Sequence, residues 1–175
     1  MVANLKGQAM MEYLVTYGWA LLALLFVVAF LLASGAFSPN SFSTQECTFQ
    51  PDLPCPSFVL YLDSAAAGQP ATLQFTLRNG LGFPINVTNV TYTATNLGGD
   101  GRQTYQGDMP TPARAYLSGD AMGFKHVFTG PRQPSVRDFR SVYVSVSYMN
   151  CKSLPCTGPY VTSGRISAPV EEKPA

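Results

Sequence analysis

The sequence predicts an α+β protein in which a long hydrophobic N-terminal helix precedes an antiparallel β-sandwich head. Residues 13–37 are nearly all apolar, whereas the chain becomes rich in Ser, Thr, Gly and Pro after position 38. Within that second part, short segments alternate apolar and polar residues, as strands with one buried face do. We therefore expect a hydrophobic helix over 8–37, a head over 38–170 and a flexible tail over 171–175.

The apolar run is long enough to cross a membrane. From Leu14 to Ala33 it would form a helix of roughly 30 Å, which matches the hydrocarbon thickness of a bilayer. A helix buried in the core of a soluble protein is the alternative, but such a helix normally keeps a polar stripe. Lys6 is the only basic side chain before the run, and positive flanks stay in the cytoplasm. We therefore expect a single-pass membrane precursor with its head outside the cell.

Two cleavage positions fit the chain around this run. A secretory signal peptide would end at the small residues 33–35, but its apolar region has about 7–15 residues, and this run is longer. A cut between Gly7 and Gln8 would instead remove the leader 1–7 and keep the helix in the mature protein. Because Lys6 precedes the run, the second cut is favoured.

These residues together resemble a known leader. Lys6-Gly7-Gln8, followed by Glu12 and an unbroken apolar helix, is similar to the class III signal peptide of archaeal type IV pilins, of the adhesion-pilin type. The resemblance covers residues 1–37. It implies that a prepilin peptidase cuts after Gly7, and that the mature subunit polymerises through its helix with an assembly platform and an ATPase. It also implies an immunoglobulin-like or archaellin-like head.

Glu12 is the only acidic side chain before Glu46. If mature helices pack with an axial offset, the α-amine of Gln8 in one subunit would lie near Glu12 of a neighbour. An unpaired charge in such a bundle is costly, so this pairing would fix the axial register. The alternative is a carboxylate that only lies at the level of the lipid headgroups.

Two segments of the head alternate most regularly. Residues 71–78 place Leu73, Phe75 and Leu77 on one face, and residues 142–148 alternate valine with polar residues. About seven short strands separated by Gly-containing turns are typical of an antiparallel β-sandwich. The weaker strand candidates are 58–63, 84–95, 113–117, 123–128 and 160–166.

The four cysteines lie in two clusters in the sequence, and each cluster ends in Leu-Pro-Cys. We expect the disulfides Cys47–Cys55 and Cys151–Cys156, and crossed pairs stay open because connectivity does not follow from sequence. Outside the cytoplasm disulfides are the better interpretation, and the spacing differs from that of paired zinc ligands.

Two acceptor motifs for N-glycosylation begin at Asn86 and Asn89. Positions three apart point to opposite faces of an ideal strand. A bulge near Thr88 would turn both asparagines outward. We therefore expect a bulge there and a glycan on one or both asparagines.

The sequence contains no catalytic pattern. His126 is the only histidine, and a single histidine in a predicted strand is more often structural than catalytic. Glu171 and Glu172 are expected to be solvated in the tail. No phosphate-binding loop or nucleophile motif occurs, and a net charge of +1 gives no basic footprint for nucleic acid. We expect no enzymatic activity, cofactor, metal or nucleic-acid partner.

The expected function is that of a structural subunit of an archaeal type IV pilus-like surface filament, a helical homopolymer used for adhesion. The alternative is a membrane-tethered extracellular binding domain, such as a minor pilin or a solute-binding subunit.

Overall fold

The computed structural model describes residues 5–34, 43–63, 68–112 and 114–173, and on the N-terminal helix it describes the side chains at 15 and 17–33. The chain divides into two units, Met1–Ser43 and Thr44–Ala175. Within the described ranges the first unit contributes one helix, and the second contributes the strands.

Helix α1 extends over Leu5–Ala33. Its Leu and Ala residues favour a helix because they lose little side-chain freedom there. After Ala33 the amide of Ser34 donates to the Phe30 carbonyl oxygen at 2.8 Å, and its hydroxyl donates to the Leu31 carbonyl oxygen at 2.9 Å. These bonds satisfy two carbonyl groups of the last turn.

The predicted fold class, α+β with a long membrane-spanning helix before an antiparallel β-sandwich, is wrong. The chain is mostly β, with eight strands beside a single helix in the described ranges. No helix in the part of the chain that the structure describes is both long and apolar enough to cross a membrane.

The strands form one curled, half-barrel sheet rather than two stacked sheets. Its order is β5-β4-β7-β8-β2-β3-β6, and β1 pairs with β8 beside this path. In chain order the strands are β1 (Glu46–Thr48), β2 (Ser57–Leu62), β3 (Ala71–Arg78), β4 (Ile85–Thr95), β5 (Arg102–Gln106), β6 (Ala121–Phe128), β7 (Phe139–Asn150) and β8 (Thr157–Glu172).

Strand β8 explains why the predicted sandwich does not form. It has 16 residues, and up to Pro169 it pairs antiparallel with β7. Its last residues, from Val170 to Glu172, pair parallel with β2. One long strand therefore joins what would otherwise be two sheets. The alternating pattern located strands but did not identify their partners, and it revealed only 160–166 of β8.

The alternation predicted for the two clearest strands is confirmed. Leu73, Phe75 and Leu77 of β3 are buried, as are the valines at 142, 144 and 146 of β7. Phe75 stacks on Phe124 of β6, with ring centroids 4.9 Å apart. Each such side chain stabilises the fold by about 1.5–3 kcal/mol through its removal from water.

The region around the predicted strand 113–117 differs from the expectation. In the described residues Tyr116 joins the sheet only through an isolated bridge to Ile85. The side-chain amide of buried Asn79 donates to the carbonyl oxygens of Phe83 and Tyr116, at 3.0 Å each. The Asn79 side chain thus bonds two backbone carbonyl groups beside this isolated bridge.

The sheet also extends into the predicted tail. Glu171 and Glu172 belong to β8, and the Lys173 amide donates to the Leu62 carbonyl oxygen at 2.9 Å. The Lys173 ammonium lies 3.3 Å from the carboxylate of Asp63. The end of the described chain is therefore held beside β2.

Both predicted disulfides are present. Cys47 is bonded to Cys55, with Cα atoms 6.0 Å apart, and Cys151 to Cys156, with Cα atoms 4.3 Å apart. The first joins β1 to the segment before β2, and the second closes the loop between β7 and β8. Loops this short stabilise a fold by about 2–3 kcal/mol in the chain-entropy model.

Candidate functional site

Helix α1 exposes apolar side chains around its whole circumference. Every side chain described on it, at 15 and from 17 to 33, is exposed. Phe26 and Phe30 are 75% and 73% exposed. Successive residues of a helix are rotated by about 100°, so exposure over consecutive positions includes all faces. Such a surface requires an apolar partner, because uncovered Leu, Val and Phe are costly in water.

The predicted processing and assembly residues lie in the first part of α1. Lys6, Gly7, Gln8 and Glu12 all fall within its backbone, and their side chains lie outside the described set. Positions 8 and 12 are one helical turn apart, roughly 6 Å along the axis, on the same face.

The bulge expected in β4 is confirmed. The pairing register between β4 and β7 shifts between Val87 and Asn89, which leaves Thr88 as the extra residue. Asn86 is exposed and Asn89 is half-buried, so neither side chain lies in the core. The Thr88 hydroxyl donates to the Ser147 carbonyl oxygen at 3.2 Å.

A cavity of about 310 Å³ lies beside this end of β4. It is lined by Asn86 and Val87 on the strand and by Met109, Pro110, Arg114, Ala115 and Tyr116 on the loop that follows β5. The Arg114 guanidinium lies over the Tyr116 ring, 5.6 Å from its centroid, and pairs with Asp120 at 3.1 Å. The cavity is therefore lined by both apolar and polar side chains, with one cation, Arg114, among them.

His126 is buried in an aromatic cluster where β5 and β6, the two ends of the curled sheet, come together. Its ring stacks on Tyr92 at 4.5 Å and meets Phe128 edge-on at 4.7 Å, and Tyr105 of β5 lies 5.7 Å away. No described group bonds its Nε2 atom or the Tyr92 hydroxyl. Burial lowers the pKa of His126, and the negative charge of Asp108 opposes this only in part. The ring is therefore a neutral core residue at neutral pH.

This burial makes the sheet unit sensitive to acid. Because the folded-state pKa of His126 lies below its ordinary value of about 6.5, the unfolded chain binds the proton more tightly. The stabilisation is therefore complete above about pH 6.5 and is lost as the pH falls through the folded-state pKa. We expect His126→Phe, which keeps a ring in the cluster, to weaken the decrease in melting temperature between pH 8 and pH 5. Equal decreases in wild type and variant would contradict this role.

No protein-family model matches the sequence, and no curated protein is similar to it. Among the described residues no group of three or more His, Cys, Asp or Glu side chains is placed to hold a metal ion.

Proposed function

We propose that this chain is a structural subunit of a surface filament of the archaeal type IV pilus kind, which polymerises through α1 after residues 1–7 are removed. The observation that supports it most is the uncovered apolar circumference of α1. The proposed partner of α1 is the same helix of other copies of the chain, because it offers the same apolar surface on all sides.

The energetics favour such a bundle. Burying one Leu, Val or Phe side chain contributes about 1.5–3 kcal/mol, and α1 offers many such side chains to its neighbours. The sheet unit has a separate core of buried residues from its own strands and loops. That unit therefore has no need of α1 to fill its interior.

The residues near the N-terminal end of the mature helix would set the axial register of the bundle. In the proposed filament the α-amine of Gln8 pairs with Glu12 of a neighbouring copy. The precursor would be held at the membrane, with the sheet unit outside, before a prepilin peptidase, an assembly platform and an ATPase act on it. Two disulfides in the sheet unit are in keeping with an oxidising compartment.

The test is to shear the surface of cells that make the protein, image the sheared fraction and identify its main component. A filament subunit will dominate fibres in that fraction. The alternative is a membrane-tethered binding domain, which the cavity beside β4 favours. Such a domain will stay with the membrane fraction. Fibres that lack the chain would overturn the proposal.

We expect the mature protein to begin at Gln8. Removing the leader takes away Lys6, the one basic side chain before the apolar run, and keeps the apolar surface that assembly needs. Mass analysis of the N-terminal peptide will decide this point. A start at Ala36 would indicate an ordinary secretory signal. Such a cut would remove α1, and the filament proposal would then be wrong.

A further inference from the structure

We infer that Asn86 alone of the two candidate asparagines carries an N-linked glycan, whose first sugar occupies the cavity beside β4. The inference rests on the extracellular location in the proposed function. The reaction joins the Asn86 side-chain nitrogen to the anomeric carbon of a sugar. The nitrogen loses a proton to a base of the transferase, and the bond from that carbon to the phosphate of a glycosyl-phosphate donor breaks.

Asn86 lies where one side of β4 has no strand partner. It pairs with Met149 of β7 on one side, whereas β5 begins to pair only at Thr91. The loop that forms the cavity occupies the other side, and Asn86 is itself part of the cavity wall. Its exposed side chain is therefore open to a transferase, and a sugar attached to it would start at the cavity.

Asn89 is less accessible than Asn86 to a glycosyltransferase. It is half-buried, and its Oδ1 atom accepts a hydrogen bond from the Gln106 side-chain amide. The threonine of its motif, Thr91, is half-buried between Gln106 of β5 and Ser145 of β7. Thr88, which completes the Asn86 motif, is exposed.

The cavity has the chemistry of a sugar site. A pyranose ring has apolar C–H faces and a rim of hydroxyl groups. Met109, Pro110 and Ala115 offer apolar contact, and the Arg114 guanidinium offers hydrogen-bond donors. Its volume of about 310 Å³ lies at the lower end of the range for ligand pockets, about 300–1,000 Å³, which suits a single sugar unit.

Glycopeptide mass spectrometry of protein from its natural host tests the choice of asparagine. We expect the glycan on wild type and Asn89→Gln, and its loss from Asn86→Gln. Thr88→Ala should also lose it, because that variant keeps Asn86 but removes its motif. A glycan on Asn89, on both asparagines or on neither would overturn the inference. An unmodified chain found at the cell surface would leave the proposed function intact.

Hydrogen exchange tests the position of the sugar. Amides of residues 114 and 115 should exchange several-fold faster in Thr88→Ala than in wild type, because the sugar no longer covers them. Asn89→Gln is the matched control and should exchange as wild type does. Equal exchange in wild type and Thr88→Ala would show that the sugar lies outside the cavity.

Discussion

Replacing Glu12 by Gln is expected to abolish filaments while leaving the processed subunit in the membrane fraction. The amide has nearly the same size and shape as the carboxylate, so packing of α1 changes little. What the variant would lose is the negative charge that the proposed filament places opposite the α-amine of Gln8. Removing one partner of a buried charge pair typically costs about 3–5 kcal/mol, because the other charge stays buried without compensation.

In the proposed filament a penalty of that size would apply each time a subunit is added. A cost of 1.4 kcal/mol is tenfold in an equilibrium constant, so about 3 kcal/mol lowers the affinity of each addition by more than a hundredfold. Cleavage should continue, since the bond after Gly7 lies upstream of Glu12. Imaging of surface filaments beside an immunoblot of the membrane fraction measures both effects. Normal fibre number and length in Glu12→Gln would show that the carboxylate only lies at the headgroup level.

The double substitution Phe26→Ala/Phe30→Ala is the second change with a large expected effect. The two rings lie one turn apart on the same face of α1 and are among its most exposed side chains. Alanine keeps the helix, because it has the highest helix propensity. If these rings are buried between copies of α1, each truncation costs about 3–5 kcal/mol. We therefore expect few fibres and a normal amount of processed monomer.

The control truncates two exposed apolar side chains of the sheet unit. Leu154 is 90% exposed in the loop between β7 and β8, and Val161 of β8 is 58% exposed. Leu154→Ala/Val161→Ala should leave fibres unchanged, since the proposal gives neither side chain a part in assembly. Loss of fibres in the control with normal fibres in the α1 variant would point to assembly through the sheet unit.

Local patterns predicted local features of this chain well. The period-two alternation around Phe75 identified β3 because that strand buries one face. The spacing of Asn86 and Asn89, three positions apart, predicted the bulge, because such positions point to opposite faces of an unbroken strand. The short cysteine spacings fitted two disulfides between near neighbours, and these pairs are bonded.

Features that depend on partners distant in sequence were not predictable in this way. The parallel pairing of β2 with β8 joins residues more than a hundred positions apart, and nothing in either segment specifies the other. The hydrogen bond from Asn79 to Tyr116 spans 37 positions. Strand β5 is largely exposed, so it lacks the apolar alternation that reveals a strand. The sandwich prediction failed because it inferred the arrangement of the sheet from the number of strands.

A reconstruction of sheared filaments at side-chain resolution tests assembly through α1 most directly. We expect copies of α1 packed against one another, with Phe26 and Phe30 buried between them and the first residue of each chain, Gln8, near Glu12 of a neighbour. Fibres held together by contacts between sheet units, with α1 outside the contacts or absent from the mature chain, would contradict it.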